Sequence, residues 1–369
     1  MSPAPLTIQN EDRLASPALI LHWESVEENL RRMIVIAGDP SRLRPHVKTH
    51  KLPQIVARQV DLGITKCKCA TMAEAEMAAA AGARDVLLAA PLVGPAIGRF
   101  LALQAAFPEV IFYALADDEE AMEAVSKAAV AAGQQVTVLL DLDVGQGRTG
   151  VAPDKTAALF YHRMAALPGI QPGGLHAYDG HLHQTDVAAR TAACDEAFAT
   201  VEALRDQLRN AGLPVPMVVV GGTPTFPMHA RRAGVECSPG TCVLWDAGYA
   251  ATLPDLDFLT AAFLLTRVIS RPAAHRLCLD LGHKAVASEM PHPRVIFPAL
   301  PEAKAVMHNE EHLVLETPRA ADFPVGSVLY GIPWHICPTV ALHSHFHLAR
   351  GGVAEERWPV VARTRQINF

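Results

Sequence analysis

Lys48 stands in the run Arg44-Pro45-His46-Val47-Lys48-Thr49-His50-Lys51, between an apolar strand signal and the helical pattern that opens at Leu52-Pro53. A lysine at the end of a buried parallel strand is costly to desolvate. Chemistry gives a reason to keep one there, as an amine that is covalently committed or has a depressed pKa. The plainer alternative is a solvated basic turn. Arg148 follows the apolar run Leu139–Leu142 through the glycine-rich turn Gly145-Gln146-Gly147, which would carry it to a strand end as an anion or cofactor contact; the alternative is a surface turn. In Leu175-His176-Ala177-Tyr178-Asp179-Gly180-His181-Leu182-His183, His176 suits a satisfied core histidine. Tyr178 and His181, beyond the strand end, are placed to stack on a ring and to move a proton.

Two glycine-bearing turns point to a phosphate. Gly221-Gly222-Thr223-Pro224-Thr225 follows a short apolar run; glycine permits close backbone approach, Thr223 is expected to cap a helix, and Pro224 suits its first turn. Ser238-Pro239-Gly240-Thr241 follows the next run and offers further donors. Phosphate sites after the seventh and eighth strands recur in eight-stranded α/β barrels. Each turn alone is weak evidence; together with Lys48 they indicate a phosphate-bearing cofactor that forms a Schiff base, pyridoxal 5'-phosphate.

A metal signal lies near the C-terminus, in Pro333-Trp334-His335-Ile336-Cys337-Pro338-Thr339-Val340. In an extended segment, residues two apart share a face, so His335 and Cys337 can grip one ion through nitrogen and sulfur. Borderline-soft zinc suits that pair, and two protein ligands leave positions open for catalysis. The alternative is a buried thiol beside a structural histidine. A rival set at the same spacing, His343, His345 and His347, can equally be the wet side of an edge strand.

These groups need a scaffold that brings strand ends together. Short runs rich in Val, Ile and Leu recur near 43–48, 66–70, 85–90, 110–115, 136–142, 173–177, 216–220 and 235–238, separated by helical patterns such as Ala73–Ala83 and Asp186–Ala211. Eight strand signals alternating with helices predict an α/β fold with a (β/α)8 barrel rather than an open doubly wound sheet. From Asp257 the runs become short, apolar and punctuated by Pro and Gly, which predicts an all-β domain. The expected division is 1–20 as a tail and strand joining the β domain, 21–248 as the barrel, and 249–369 as the β domain.

Composition excludes several functions. Half of the 369 residues are hydrophobic, 19% are charged and the net charge is −6, so nothing favours a nucleic acid. No stretch has the length and purity of a membrane span, and residues 1–17 lack a cationic segment before an apolar run. Seven scattered cysteines read as thiols, and the chain as cytoplasmic.

Taken together, RPHVKTHK, CATMAEAE, DVGQGRTGV, AYDGHLH, GGTPT, SPGT, DLGHKAVASE (280–289) and HICPTV resemble the D-threonine aldolase and D-serine dehydratase family, pyridoxal-phosphate enzymes of the alanine-racemase-like fold. The resemblance implies Lys48 as the Schiff-base lysine, His335 and Cys337 as ligands of Zn or Mn, and Arg148 and Tyr178 near the ring. It also implies phosphate contacts at Gly221, Gly222, Thr223, Pro239, Gly240 and Thr241, a homodimer, and a small D-amino acid as substrate. Two reactions fit. In the aldolase reading, placed first, the metal takes the β-hydroxyl, His181 removes its proton, and Cα–Cβ cleavage gives glycine and an aldehyde. In the dehydratase reading of D-serine or D-3-hydroxyaspartate, Lys48 removes the α-proton and a 2-oxo acid and ammonia result. A racemase would need a second base opposite Lys48, for which Tyr330 is the candidate. A cofactor-binding protein without catalysis would have no use for His335 and Cys337.

Overall fold

The computed structural model describes residues 7–365, 367 and 368. The chain forms two compact units, one of residues 33–48, 53–240 and 364–369, the other of residues 1–32, 49–52 and 241–363. Its first strand, β1 (Ala18–His22), belongs to the second unit.

The first unit is a parallel sheet in sequential order: β2 (Lys66–Cys69), β3 (Asp85–Pro91), β4 (Ile111–Ala116), β5 (Val136–Leu142), β6 (Ile170–Ala177), β7 (Met217–Val220) and β8 (Glu236–Cys237). Helices alternate with the strands, and side chains fix several helix starts. Thr71 caps at Glu74 N, Asp118 at Ala121 N and Asp186 at Ala189 N. Leu87, Tyr113, Leu115, Leu139 and Val219 from four of the strands pack together as an apolar core.

The run at 43–48 is not a regular strand. Leu43 bridges to Cys237 and His46 to Lys68, so the segment joins β8 to β2 and closes the ring with isolated bridges. Pro45 supplies a carbonyl to Lys68 N but has no N–H to return, which limits the ladder. Lys48 then falls in a 3-10 turn, Val47–Thr49, ahead of the helix Pro53–Asp61.

At the end where the strands begin, Arg44 is fully buried. It bonds to Asp85 and, at 2.7 Å, to Glu236, which also receives Lys66, and its guanidinium lies 5.4 Å from the Tyr113 ring. Burial opposes its charge, but Glu236 and Asp85 outweigh that and hold the guanidinium above its ordinary value.

The second unit is built on β9 (Ala262–Ala273), β10 (Arg276–Leu279), β11 (Val295–Ile296), β12 (Lys304–His308), β13 (Leu313–Glu316), β14 (Val328–Pro333), β15 (His345–Arg350) and β16 (Val353–Pro359). The order is β12-β13-β10-β9-β1-β15-β16, with β14 pairing β9 and β11. Ile8, Ile20, Phe263, Leu265 and Ala349 lie in its core. The unit is mostly β rather than all β, because HICPTV is not extended: Ile336–Leu342 is a helix with His335 at its N-cap. β15 is likewise an inner strand, between β1 and β16, so its histidines do not mark an edge. Among the described residues no helix is long and apolar enough to cross a membrane.

Candidate active site

Lys48, Arg148 and Tyr178 meet as expected in the first unit. With His46, Lys68, Asp141, Gln146, Thr149 and His176 they line one cleft. The Tyr178 ring is its centre. Lys48 Nζ lies 5.9 Å from the ring centroid, Lys68 Nζ 5.5 Å and Arg148 Cζ 5.2 Å. Three basic groups around one aromatic ring make an electropositive pocket, fit for a phosphorylated, anionic ligand.

The phosphate turns form a close-packed cradle. A Cβ at Gly222 would stand 3.0 Å from Tyr178 Cε2, so glycine lets this backbone approach the ring. Gly240 N donates to Thr223 Oγ1 at 3.2 Å, joining the loops after β7 and β8. Ser238 Oγ, buried beside Pro239 in the second loop, has no hydrogen-bond partner among the described residues, which leaves it a donor for a ligand oxygen. These residues fit pyridoxal phosphate. One detail differs from expectation. The helix after Gly222 starts at Phe226 with Thr225 as its N-cap and Pro227 in its first turn, so Thr223 and Pro224 precede it. Thr241 opens the turn Thr241–Val243 of the second unit, its Oγ1 3.6 Å from Cys337 Sγ.

His181 lies past the end of β6 against the glycine turn. A Cβ at Gly145 would stand 2.8 Å from its Nε2, so only glycine, here at φ 118°, lets the ring pack there. Its Nδ1 is buried without a partner among the described residues, and the Asp143 carboxylate is close enough to feel its charge. His183 is exposed. His176 is a buried histidine, as expected, but not an idle one: its Nδ1 faces Asp141 Oδ1 at 2.6 Å and its Nε2 faces Lys68 Nζ at 3.4 Å.

Below Tyr178, Asp179 accepts from Thr225 Oγ1 at 2.8 Å and faces His229 Nε2 at 2.8 Å, with Cys194 Sγ 3.5 Å from the same nitrogen. The three could hold an ion by distance. Arg232, however, lies 3.3 Å from His229 Nδ1 and 3.8 Å from Cys194 Sγ, which sets a fixed positive charge against one. We read the cluster as a clamp on the Tyr178 loop.

In the second unit, His335 and Cys337 meet although their segment is helical, because the N-cap and the first turn converge there. Burial lowers the proton affinity of His335, but hydrogen bonding to Cys337 and its charge, then Glu289, outweigh it, and the pKa rises to about 9. Glu289 Oε1 lies 2.6 Å from His335 Nδ1, which leaves Nε2 for an ion, the arrangement usual for a metal-bound histidine. Cys337 Sγ is 3.3 Å from Thr49 Oγ1. Asp246, its pKa raised to about 6 by burial, accepts from Ile336 N and anchors the turn. An imidazole and a thiolate with a carboxylate behind the imidazole fit a zinc-like ion. In the rival set, His343 caps the helix C-terminus and its Nε2 is taken by Ala285 O at 2.7 Å, while His345 and His347 face each other at 3.2 Å. Tyr330 is bound to Glu11 and Ile8 N, and burial with Glu11 raises its pKa, so it is poorly suited to serve as a racemase base.

Reasoning from sequence missed Lys68, Asp141, Asp246 and Glu289. Glu289 lay in a quoted motif, DLGHKAVASE, and Asp141 in the run Leu139–Leu142 ahead of the glycine-rich turn.

A barrel with a lysine-centred cleft and a β unit define the alanine-racemase class of pyridoxal-phosphate enzyme. The family model described as "Alanine racemase, N-terminal domain" matches residues 21–246, and "Putative serine dehydratase domain" matches 261–349. The chain is 34% identical over 358 residues to a D-threonine aldolase of Arthrobacter sp., covering 95% of this chain and 93% of that protein. The solved D-threonine aldolase of Filomicrobium marinum is 31% identical with a TM-score of 0.89, covering 98% of this chain and 99% of that one. The D-threo-3-hydroxyaspartate dehydratase of Delftia sp. HT23 is 25% identical with a TM-score of 0.85, covering 95% and 98%. The chain belongs to the D-threonine aldolase and D-serine dehydratase family, lyases that use pyridoxal 5'-phosphate together with a divalent metal.

Proposed function

We propose that this chain cleaves D-β-hydroxy amino acids such as D-threonine to glycine and an aldehyde, with the cofactor on Lys48 and a divalent ion on His335 and Cys337. The observation that carries the reading is the pairing, on one chain, of the Lys48–Tyr178–Arg148 cleft with a histidine and cysteine backed by Glu289. The end-to-end likeness to D-threonine aldolases supports cleavage as the outcome.

Pyridoxal phosphate, when bound, supplies an electron sink for the pair released at Cα. A divalent metal held by His335 and Cys337 would supply Lewis acidity. Lys48 would hold the cofactor through its amine. Tyr178 orients the ring, Arg148 brings positive charge to it, and Gly221, Gly222, Thr223, Pro239 and Gly240, with the Ser238 hydroxyl, form the phosphate cradle. His181 removes the β-hydroxyl proton, a role supported by its buried Nδ1, which has no partner among the described residues.

Dehydration is the second reading, favoured by the soft Cys337 donor and the likeness to a dehydratase. There Lys48 takes the α-proton and the products are a 2-oxo acid and ammonia. The reading includes a homodimer and a cytoplasmic setting, the latter supported by seven free thiols. A product assay on purified, cofactor- and zinc- or manganese-loaded enzyme with D-threonine decides between them. Glycine and acetaldehyde are expected; 2-oxobutanoate and ammonia would overturn cleavage in favour of elimination.

A further inference from the structure

We propose that Thr339 is a positioning residue of the metal site: its buried hydroxyl ties the turn that carries His335 to the loop that carries Glu289. The inference rests on the reading of His335 and Cys337 as metal ligands.

Glu289 Oε1 and His335 Nδ1 lie 2.6 Å apart, yet the two side chains are 46% and 44% exposed. Such a pair gains little in water and loses rotamer freedom, so it does not hold one geometry unaided. The support has to come from the backbones that carry the two side chains. Thr339, in the helix Ile336–Leu342, is fully buried. Its Oγ1 lies 3.1 Å from Ala287 N and 2.8 Å from His335 O. An amide can only donate and a carbonyl can only accept, so the hydroxyl proton goes to His335 and a lone pair to Ala287. A helical threonine often bonds back to the carbonyl four residues before it, and that bond alone would be ordinary. The other bond is not local. Ala287 is 52 residues away in sequence, and Glu289 follows two residues later.

Asp246 holds the turn through Ile336 N at 3.0 Å. Arg294 also links the two segments, donating to Met290 O at 3.0 Å while its carbonyl accepts from Trp334 N at 2.8 Å. Its side-chain bond is exposed, whereas the bond from Ala287 to Thr339 is buried and free of competition from water. Thr339 thus keeps the carboxylate in register with the imidazole, and the carboxylate keeps the proton on Nδ1 and the lone pair on Nε2 for the ion.

The test is zinc affinity, measured on the cofactor-loaded protein by competition with a chromophoric chelator. Thr339→Val, which keeps the shape and removes the hydroxyl, is expected to weaken binding about fivefold, less than the loss of Glu289 itself. Thr339→Ser, which keeps the hydroxyl, is expected to stay within about twofold of the wild type. In a Glu289→Ala background the valine should cost less than about twofold, because a residue that acts through Glu289 does not add to its loss. Equal costs in the two backgrounds would make Thr339 a structural residue only and overturn the proposal. So would a valine without effect, or a serine as damaging as the valine. If Thr339→Val does not fold, Thr339→Ala takes its place in the same cycle. Cys337→Ala, run alongside, separates the two levels. Zinc affinity unchanged by Cys337→Ala would refute the metal site, whereas affinity lost there but untouched by Thr339→Val would refute the role of Thr339 alone.

Discussion

Arg44 and Lys68 are both buried cations of the barrel unit, Arg44 where the strands begin and Lys68 facing the cleft beside Lys48. Arg44 has Asp85 and Glu236 on its guanidinium, and both carboxylates have further partners in Tyr113 and Lys66. Lys68 has a neutral histidine and other cations. A charge kept for structure is surrounded by its counter-charges, whereas one that titrates near neutrality is left poorly compensated. That difference marks the second as the chemical end of the barrel, in line with where such barrels place their sites.

The strongest way to break the contrast is at Lys48. Lys48→Ala should abolish the visible absorbance of the bound cofactor and reduce turnover by at least about a thousandfold, checked by spectrum and steady-state rate. Next is Arg44→Met, which removes a fully buried cation from the half-buried Asp85 and Glu236 and leaves Glu236 with Lys66 alone; a loss of about 3 kcal/mol is expected in denaturant unfolding. The same end of the barrel should fail first in acid. Burial raises the pKa of Glu236, but Arg44 and Lys66 outweigh it and depress the folded value. Its stabilisation is thus present above the ordinary glutamate pKa and lost as pH falls through the lower folded one.

In the second unit the proposed ligand pair, His335 and Cys337, has the Glu289 carboxylate behind its imidazole. Glu289→Gln should weaken metal binding about 10–100-fold, measured by competition with a chelator, and Cys337→Ala should weaken it at least as much, with the cofactor still bound in both. A last expected effect sharpens the comparison of the two cations. The folded pKa of Lys68 lies below the ordinary lysine value, so the unfolded chain binds more protons between them. The stability of the wild type relative to Lys68→Met should therefore rise from pH 7 to the ordinary lysine range, by up to about 1.4 kcal/mol per pH unit. A flat difference would mean that Lys68 is charged throughout.

Much of this was legible in the sequence, because strand periodicity and glycine placement are local. The runs from Lys66 to Cys237 became strands, and Lys48, Arg148 and Tyr178 converged because each follows or closes a strand of one sheet. What failed was what depends on neighbours distant in sequence. Nothing in Lys66-Cys67-Lys68-Cys69 says which lysine points to Glu236 and which to His176, since the partners lie more than 100 residues away. Glu289 is 46 residues from His335, and its role needed the fold of the second unit. The extended reading of HICPTV failed differently. Pro338 in the first turn of a helix is as compatible with the sequence as Pro338 in a strand, and the anchoring of Ile336 N by Asp246 favours the helix.

The account turns on which amine carries the cofactor. Borohydride reduction of the holoenzyme, proteolysis and mass spectrometry of the peptides will show it. The account predicts the pyridoxyl group on the peptide containing Lys48 and none on that containing Lys68. Label on Lys68, or on neither, would contradict it.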